Sequence, residues 1–193
     1  MNGRLVFLLE EPSMKELLDG LLPRIFPGLD FQCVPHEGKS DLDRSIPRKL
    51  KAWLEPGVRF VVVRDNDNAD CRDIKAKLVR QCQEAGRPDT LIRLVCQELE
   101  SWYIGDLSAL AEAYPESGID TQGNHYRYMN PDKWQKPSVE LERAIPAFQK
   151  NDGARRMARY LSTSANQSHS YRVFLAGVDR VAAEMGYSRG VTA

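Results

Sequence analysis

The residues of this sequence best suited to do chemistry are carboxylates at the ends of apolar runs. Phe60-Val61-Val62-Val63 continues through Arg64 into Asp65-Asn66-Asp67-Asn68. Leu5-Val6-Phe7-Leu8-Leu9 stops as abruptly, at Glu10-Glu11. Carboxylates crowded this closely repel each other unless a proton or a cation relieves them. Hard oxygen donors of this type suit Mg²⁺ or Mn²⁺. The metal-ligand candidates are therefore Glu10, Glu11, Asp65 and Asp67. Glu98 and Glu100 follow a further strand-like run and offer another ligand or a base. A capping or surface role is the alternative for that pair.

These groups can cooperate only if the chain brings them to one place. Short β-branched runs without alternation read as strands buried on both faces, as in a parallel sheet. Strands are predicted over 4–9, 30–35, 59–64 and 90–97. Between them, helices are predicted over 14–26, 41–54 and 71–85. Ser13 and Glu16 form a capping box that starts the first helix at Met14. Leu17, Leu18, Leu21, Leu22 and Ile25 give it an apolar face, and Pro27-Gly28 ends it. The second helix is expected to break, with Pro47 in the first turn of its second half. Gly86 ends the third. This βαβα order implies a mainly parallel sheet of about four strands flanked by helices. Ligands of such sheets collect at the carboxyl ends of the strands. Glu10, Asp65 and Asp67 should converge there if the first and third strands are neighbours.

Beyond Glu98 the pattern turns helical. Leu99, Trp102 and Tyr103 are followed by Leu107, Leu110, Ala111 and Tyr114 behind an Asp106 cap. Trp102 and Tyr103 read as core. Residues 115–137 are rich in Pro, Gly, Asn and Tyr and read as irregular. Helices are predicted over 138–150, 153–162 and 170–186, the first two separated by Asn151-Asp152-Gly153. The expected organisation is an α/β core over 1–114. An irregular loop and helical segment over 115–193 packs on it in one globular unit.

The 193 residues are 42% hydrophobic, enough to bury a substantial core. No apolar run approaches a membrane span, and no signal-peptide pattern precedes the first strand. Cys33, Cys71, Cys82 and Cys96 show no CxxC spacing and read as reduced residues of a cytoplasmic protein. Net charge is zero but uneven. Residues 1–122 carry 16 Lys/Arg against 21 Asp/Glu, and 123–193 carry 11 against 6. An acidic site beside a basic C-terminal part suits a phosphate polyanion such as nucleic acid. Ordinary surface variation is the plainer explanation. Lys39, before a helix start, is a candidate phosphate contact or a solvated turn residue. Arg155, Arg156 and Arg159 share a helix that could meet a nucleic-acid backbone or simply face solvent. His36, His125 and His169 show no ligand spacing.

Several metal and nucleotide motifs are excluded. An EF-hand loop starting at Asp65 would need Gly at residue 70 and Glu at residue 76, where Asp70 and Ala76 stand. Haloacid dehalogenases place their DxD after the first strand. A dinucleotide site wants a Gly-rich first turn, and Glu10-Glu11-Pro12-Ser13 is not one. A receiver-like phosphoacceptor, which shares acids after strands one and three, stays open as a distant third reading, without a convincing Thr and Lys at the later strand ends.

Leu9-Glu10-Glu11-Pro12-Ser13 and Val63-Arg64-Asp65-Asn66-Asp67 resemble the Toprim domain of topoisomerases, primases and OLD-type nucleases. That domain has a Glu after its first strand and a DxD after its third. Glu10 matches the Glu, and Glu11 stands where Gly is usual. His36-Glu37-Gly38-Lys39-Ser40-Asp41-Leu42, Glu98-Leu99-Glu100-Ser101-Trp102, Lys136-Pro137-Ser138 and Asn166-Gln167-Ser168-His169-Ser170-Tyr171 are similar to signatures of an uncharacterised, Toprim-related bacterial family. The resemblance covers nearly the whole chain. It implies a Toprim-like fold and a Mg²⁺ or Mn²⁺ site in which Glu10, Asp65 and Asp67 are catalytic. It further implies a nuclease working with a separately encoded AAA- or SMC-like ATPase in phage defence or DNA transactions. A non-catalytic regulatory module of such an ATPase complex is the alternative.

Overall fold

The computed structural model describes residues 3–190. Met1 and Asn2, expected to lead directly into the first strand, lie outside them. Four apolar runs form β1 (Leu5–Leu9), β2 (Phe31–Pro35), β3 (Arg59–Asp65) and β4 (Leu91–Val95). They make one parallel sheet in the order β2-β1-β3-β4. β1 and β3 are central and covered on both sides, which is why their sequences do not alternate.

The pleat divides each run between two apolar clusters. Leu5, Phe7, Leu9, Val61 and Val63 enter one, with α1 (Pro12–Ile25), α4 (Glu100–Ile104), α5 (Leu107–Ala113), α8 (Lys150–Tyr160) and α9 (His169–Glu184). Val6, Leu8, Phe60 and Val62 enter the other, with α2 (Lys39–Ala52) and α3 (Cys71–Glu84).

Several boundaries differ from the sequence expectations, each for a local reason. α1 starts at Pro12, whose fixed φ suits the first turn. The Ser13 hydroxyl donates to Glu11 Oε1 at 2.6 Å instead of capping the helix. α2 is continuous through Pro47. Proline leaves the carbonyl four residues earlier without its N–H. That carbonyl, on Asp43, instead accepts Gln81 Nε2 of α3 at 3.2 Å.

The segment 115–137, read as irregular, contains α6 (Gln122–Arg127) and two 3-10 turns, Pro115–Ser117 and Pro131–Lys133. α7 (Pro137–Ala144) stops well short of the expected residue 150. Pro146 lies just beyond it, and proline disfavours helical backbone in the residue before it. α8 runs straight through Asn151-Asp152-Gly153, the expected break. There a Cβ on residue 153 would stand 2.4 Å from the Phe148 ring. The glycine is a packing requirement, not a turn.

The four cysteines are free, and Cys96 falls just past β4. Among the described residues no helix is long and apolar enough to cross a membrane.

Candidate active site

The register sets Leu9 of β1 beside Val63 of β3, so Glu10 and Asp65 emerge at the same sheet edge. Glu10 Oε2 accepts the Asp65 backbone N–H at 3.0 Å. The Glu10 carbonyl accepts Gly38 N–H at 2.9 Å, and buried His36 meets the Leu9 carbonyl at 2.8 Å. Arg64 lies 4.0 Å from Glu10 but hydrogen-bonds Asp43, at 2.9 and 3.1 Å. Burial raises the pKa of the Glu10 carboxyl, against the pull of the Asp65 N–H, and Asp67 and Glu11 add to the rise.

The DxD loop is held in an unusual backbone. Asp67, Asn68 and Gln97 have φ of 47°, 63° and 64°. Such left-handed values are uncommon outside glycine and cluster at functional sites. Bonds to the end of β4 hold the loop. Asn66 N–H donates to the Val95 carbonyl at 3.0 Å, and Gln97 N–H to Asn66 Oδ1 at 2.5 Å. Asn68 N–H reaches Gln97 Oε1 at 2.8 Å. Asp65 is 8% exposed. Burial drives its pKa well above the usual range, and Glu10, Glu11, Glu100 and Asp67 all reinforce the shift. Asp67 lies further out and pairs with Lys39 at 3.0 Å, a contact that raises the lysine's pKa.

Glu98 and Glu100 take different positions. Glu98 Oε2 accepts Ser138 N–H at 2.8 Å and so binds the first turn of α7. Glu100 is 1% exposed, and neither carboxylate oxygen has a hydrogen-bond partner among the described residues. Burial pushes its pKa up to about 7, with Lys150 opposing and Glu11 and Glu98 adding to the rise.

Lys150 is a site residue that the sequence reading missed. As the first residue of α8, it stands 3.6 Å from Glu11 and 4.0 Å from Glu100. Burial would lower its pKa, but Glu100, Glu11, Glu98 and Asp65 outweigh that and raise it. No local motif marks it; only the packing of α8 against α1 brings it to this edge.

The other expected phosphate contacts are elsewhere. Arg155 pairs with Glu16 at 2.7 Å. Arg156 pairs with Asp152 at 2.8 Å and donates to the Ala113 carbonyl. Neither makes an ion pair with the acids of the sheet edge among the described residues.

Among those residues, no group of three or more His, Cys, Asp or Glu side chains is arranged to hold a metal ion. Lysines stand against the outer acids instead. The donor chemistry nevertheless fits a hard divalent cation. The donors are all carboxylate oxygens, those of Glu100 lack partners, and Asp65 carries the repulsion of four neighbours.

Two solved structures share this fold. One is the C-terminal region of the Burkholderia pseudomallei OLD protein, with TM-score 0.54 and 14% identity over 91% of this chain and 96% of that one. The other is the C-terminal region of the Xanthomonas campestris pv. campestris OLD protein, with TM-score 0.50 and 15% identity over 95% and 98%. Identities this low speak to fold alone, a Toprim-like α/β arrangement. No curated protein gives a significant sequence match. The model of a family described as a domain of unknown function (DUF4276) matches residues 9–179, from the last residue of β1 into α9, and the chain belongs to that family.

Proposed function

We propose that this protein is a divalent-metal-dependent phosphodiester enzyme, a nuclease, that works with a separately encoded ATPase. One observation carries the reading: Glu10, Asp65, Asp67 and Glu100, whose carboxylate oxygens accept no hydrogen bond among the described residues, gather at the carboxyl edge of a parallel sheet. At an effective dielectric of about 20, two like charges 4 Å apart repel by about 4 kcal/mol. Two half-exposed lysines offset part of that load, and a divalent ion would offset more.

In this reading Glu10, Asp65 and Asp67 would hold Mg²⁺ or Mn²⁺, with Glu11 and Glu98 as further candidate ligands. The ion, when bound, supplies charge neutralisation at the scissile phosphate and activation of the nucleophile. Glu100, with a proton affinity near neutrality, accepts the proton of the attacking water. Lys150 and Lys39 would face the phosphate oxygens, with Asp67 given up by Lys39 to serve as a ligand. A long substrate continuing over α8 would meet Arg155 and Arg156. The ATPase, implied by the family resemblance, would supply the substrate orientation on which such chemistry depends. A role in phage defence belongs to the same proposal.

The Lys39–Asp67 pair favours a second reading, in which the acidic edge is permanently salt-bridged and the domain is a non-catalytic partner of the ATPase. Nuclease activity with Mn²⁺, alone and with the proposed partner ATPase, separates the two. Activity lost in both Glu10→Gln and Asp65→Asn supports the enzyme. A complex that functions equally well with either variant supports the module.

A further inference from the structure

A cavity of about 550 Å³ lies between α6 and α7, on the segment read from sequence as irregular. Arg127, Lys133, Lys136 and Arg143 line it, together with the aromatic rings of Tyr126 and Trp134. Glu140, also lining it, is shared by Arg127 at 2.7 Å and Arg143 at 3.1 Å. One carboxylate thus serves two guanidinium groups. Lys133 and Lys136 are exposed and make no ion pair among the described residues. Trp134 rests against Tyr128, ring centroids 5.4 Å apart, with Arg127 5.6 Å from its ring. Tyr126 is 72% exposed.

We propose that this groove binds a single strand of nucleic acid and leads it to the acidic sheet edge. The proposal deepens the phosphodiester reading and rests on it. Cationic side chains alternating with accessible aromatic rings are the means by which single strands are held without sequence preference. A cavity of this volume admits a nucleotide, whose base can lie against Tyr126 or Trp134 while Lys133 and Lys136 meet its phosphates. A duplex keeps its bases paired inside and offers these rings nothing to stack on. A protein partner fits less well, because lysine is depleted from the cores of protein interfaces.

The groove is also tied to the site by hydrogen bonds. The Gln135 carbonyl accepts Asn68 Nδ2 of the DxD loop at 3.3 Å. Three residues on, Ser138 N–H donates to Glu98. Gln135 and Lys136 line the groove, and hydrogen bonds at residues 135 and 138 tie this segment to the acidic edge. An edge so rich in carboxylates repels phosphate, and the neighbouring cations would hold the strand against that repulsion.

The test is fluorescence anisotropy with a labelled oligo-dT of about 20 nucleotides, in EDTA, across a salt series. A Lys133→Glu/Lys136→Glu double variant should bind at least about 10-fold more weakly, with a log–log salt slope flatter by about 1.4 units. Tyr126→Ala should weaken binding about 5-fold or more. A duplex of the same length should bind less tightly and be insensitive to Tyr126→Ala. Binding is read without any divalent ion, so failure of the metal reading leaves this result standing. No measurable oligo-dT binding by wild type, equal binding by wild type and both groove variants, or a duplex bound as tightly as the single strand would each overturn the proposal.

Discussion

The Glu10 carboxylate accepts the backbone N–H of Asp65 at 3.0 Å, bonding the end of β1 to the end of β3. Two acids that repel through their charges are thus held together through one backbone. The bond favours ionised Glu10, while burial, Asp67 and Glu11 favour the protonated form and prevail.

Glu10→Ala should therefore cost about 1–3 kcal/mol, because it strands the Asp65 N–H without an acceptor. Glu10→Gln keeps an acceptor oxygen and removes the charge, and should be at least as stable as wild type. Urea unfolding measures both. Equal midpoints for the two variants would show that the bond adds nothing to stability.

Glu100 gives the fold a pH dependence. Its folded-state pKa is raised from 4.5 to about 7 by burial. The unfolded chain therefore releases this proton more readily than the folded one. The contribution is fully present below about pH 4.5 and is lost as pH rises through about 7. Glu100→Gln should match wild type near pH 4.5 and exceed it at pH 8 without metal, by about 3 kcal/mol as an order of magnitude. A stability difference that does not change between those pH values would contradict the assignment.

How much of this was legible in the sequence follows from where each signal resides. β1 and β3 were readable because strands buried on both faces leave uninterrupted apolar runs. Glu10 and Asp65 were readable because each directly ends such a run. α2 was misread at Pro47 because the replacement donor, Gln81, is 34 residues away on another helix. Gly153 was misread as a break because its neighbour Phe148 is packing context, not turn chemistry. Lys150 carried no signal at all. Its place depends on how α8 lies against α1, and no local spacing encodes that. The groove beside Trp134 was hidden for the same reason, in a segment whose composition reads as loop.

A divalent ion held by Glu10, Asp65 and Asp67 should stabilise the fold by mass action. At 100 times its dissociation constant the gain is about 2.7 kcal/mol. For a chain of this size each kcal/mol raises Tm by about 2–4 °C. The rise should be larger at pH 8 than at pH 5.5, because the raised carboxyls of Asp65 and Glu10 must lose protons to bind the ion. Asp65→Asn should abolish it. Differential scanning fluorimetry with Mg²⁺ and Mn²⁺ reads all three effects, and a flat wild-type response would count against a preformed site.

Lys150→Ala should reduce kcat by about 100-fold or more while changing KM little, if its ammonium meets charge that develops only in the transition state. Lys150→Arg should recover part of the loss. A change confined to KM would make Lys150 a ground-state binding residue.

An anomalous difference map from crystals soaked in Mn²⁺ would reveal whether the acidic edge takes a divalent cation. The expected result is a peak between Glu10, Asp65 and Asp67, with Lys39 displaced from Asp67. No anomalous peak at saturating Mn²⁺, with Lys39 still 3.0 Å from Asp67 and Lys150 still against Glu11 and Glu100, would contradict the metal reading.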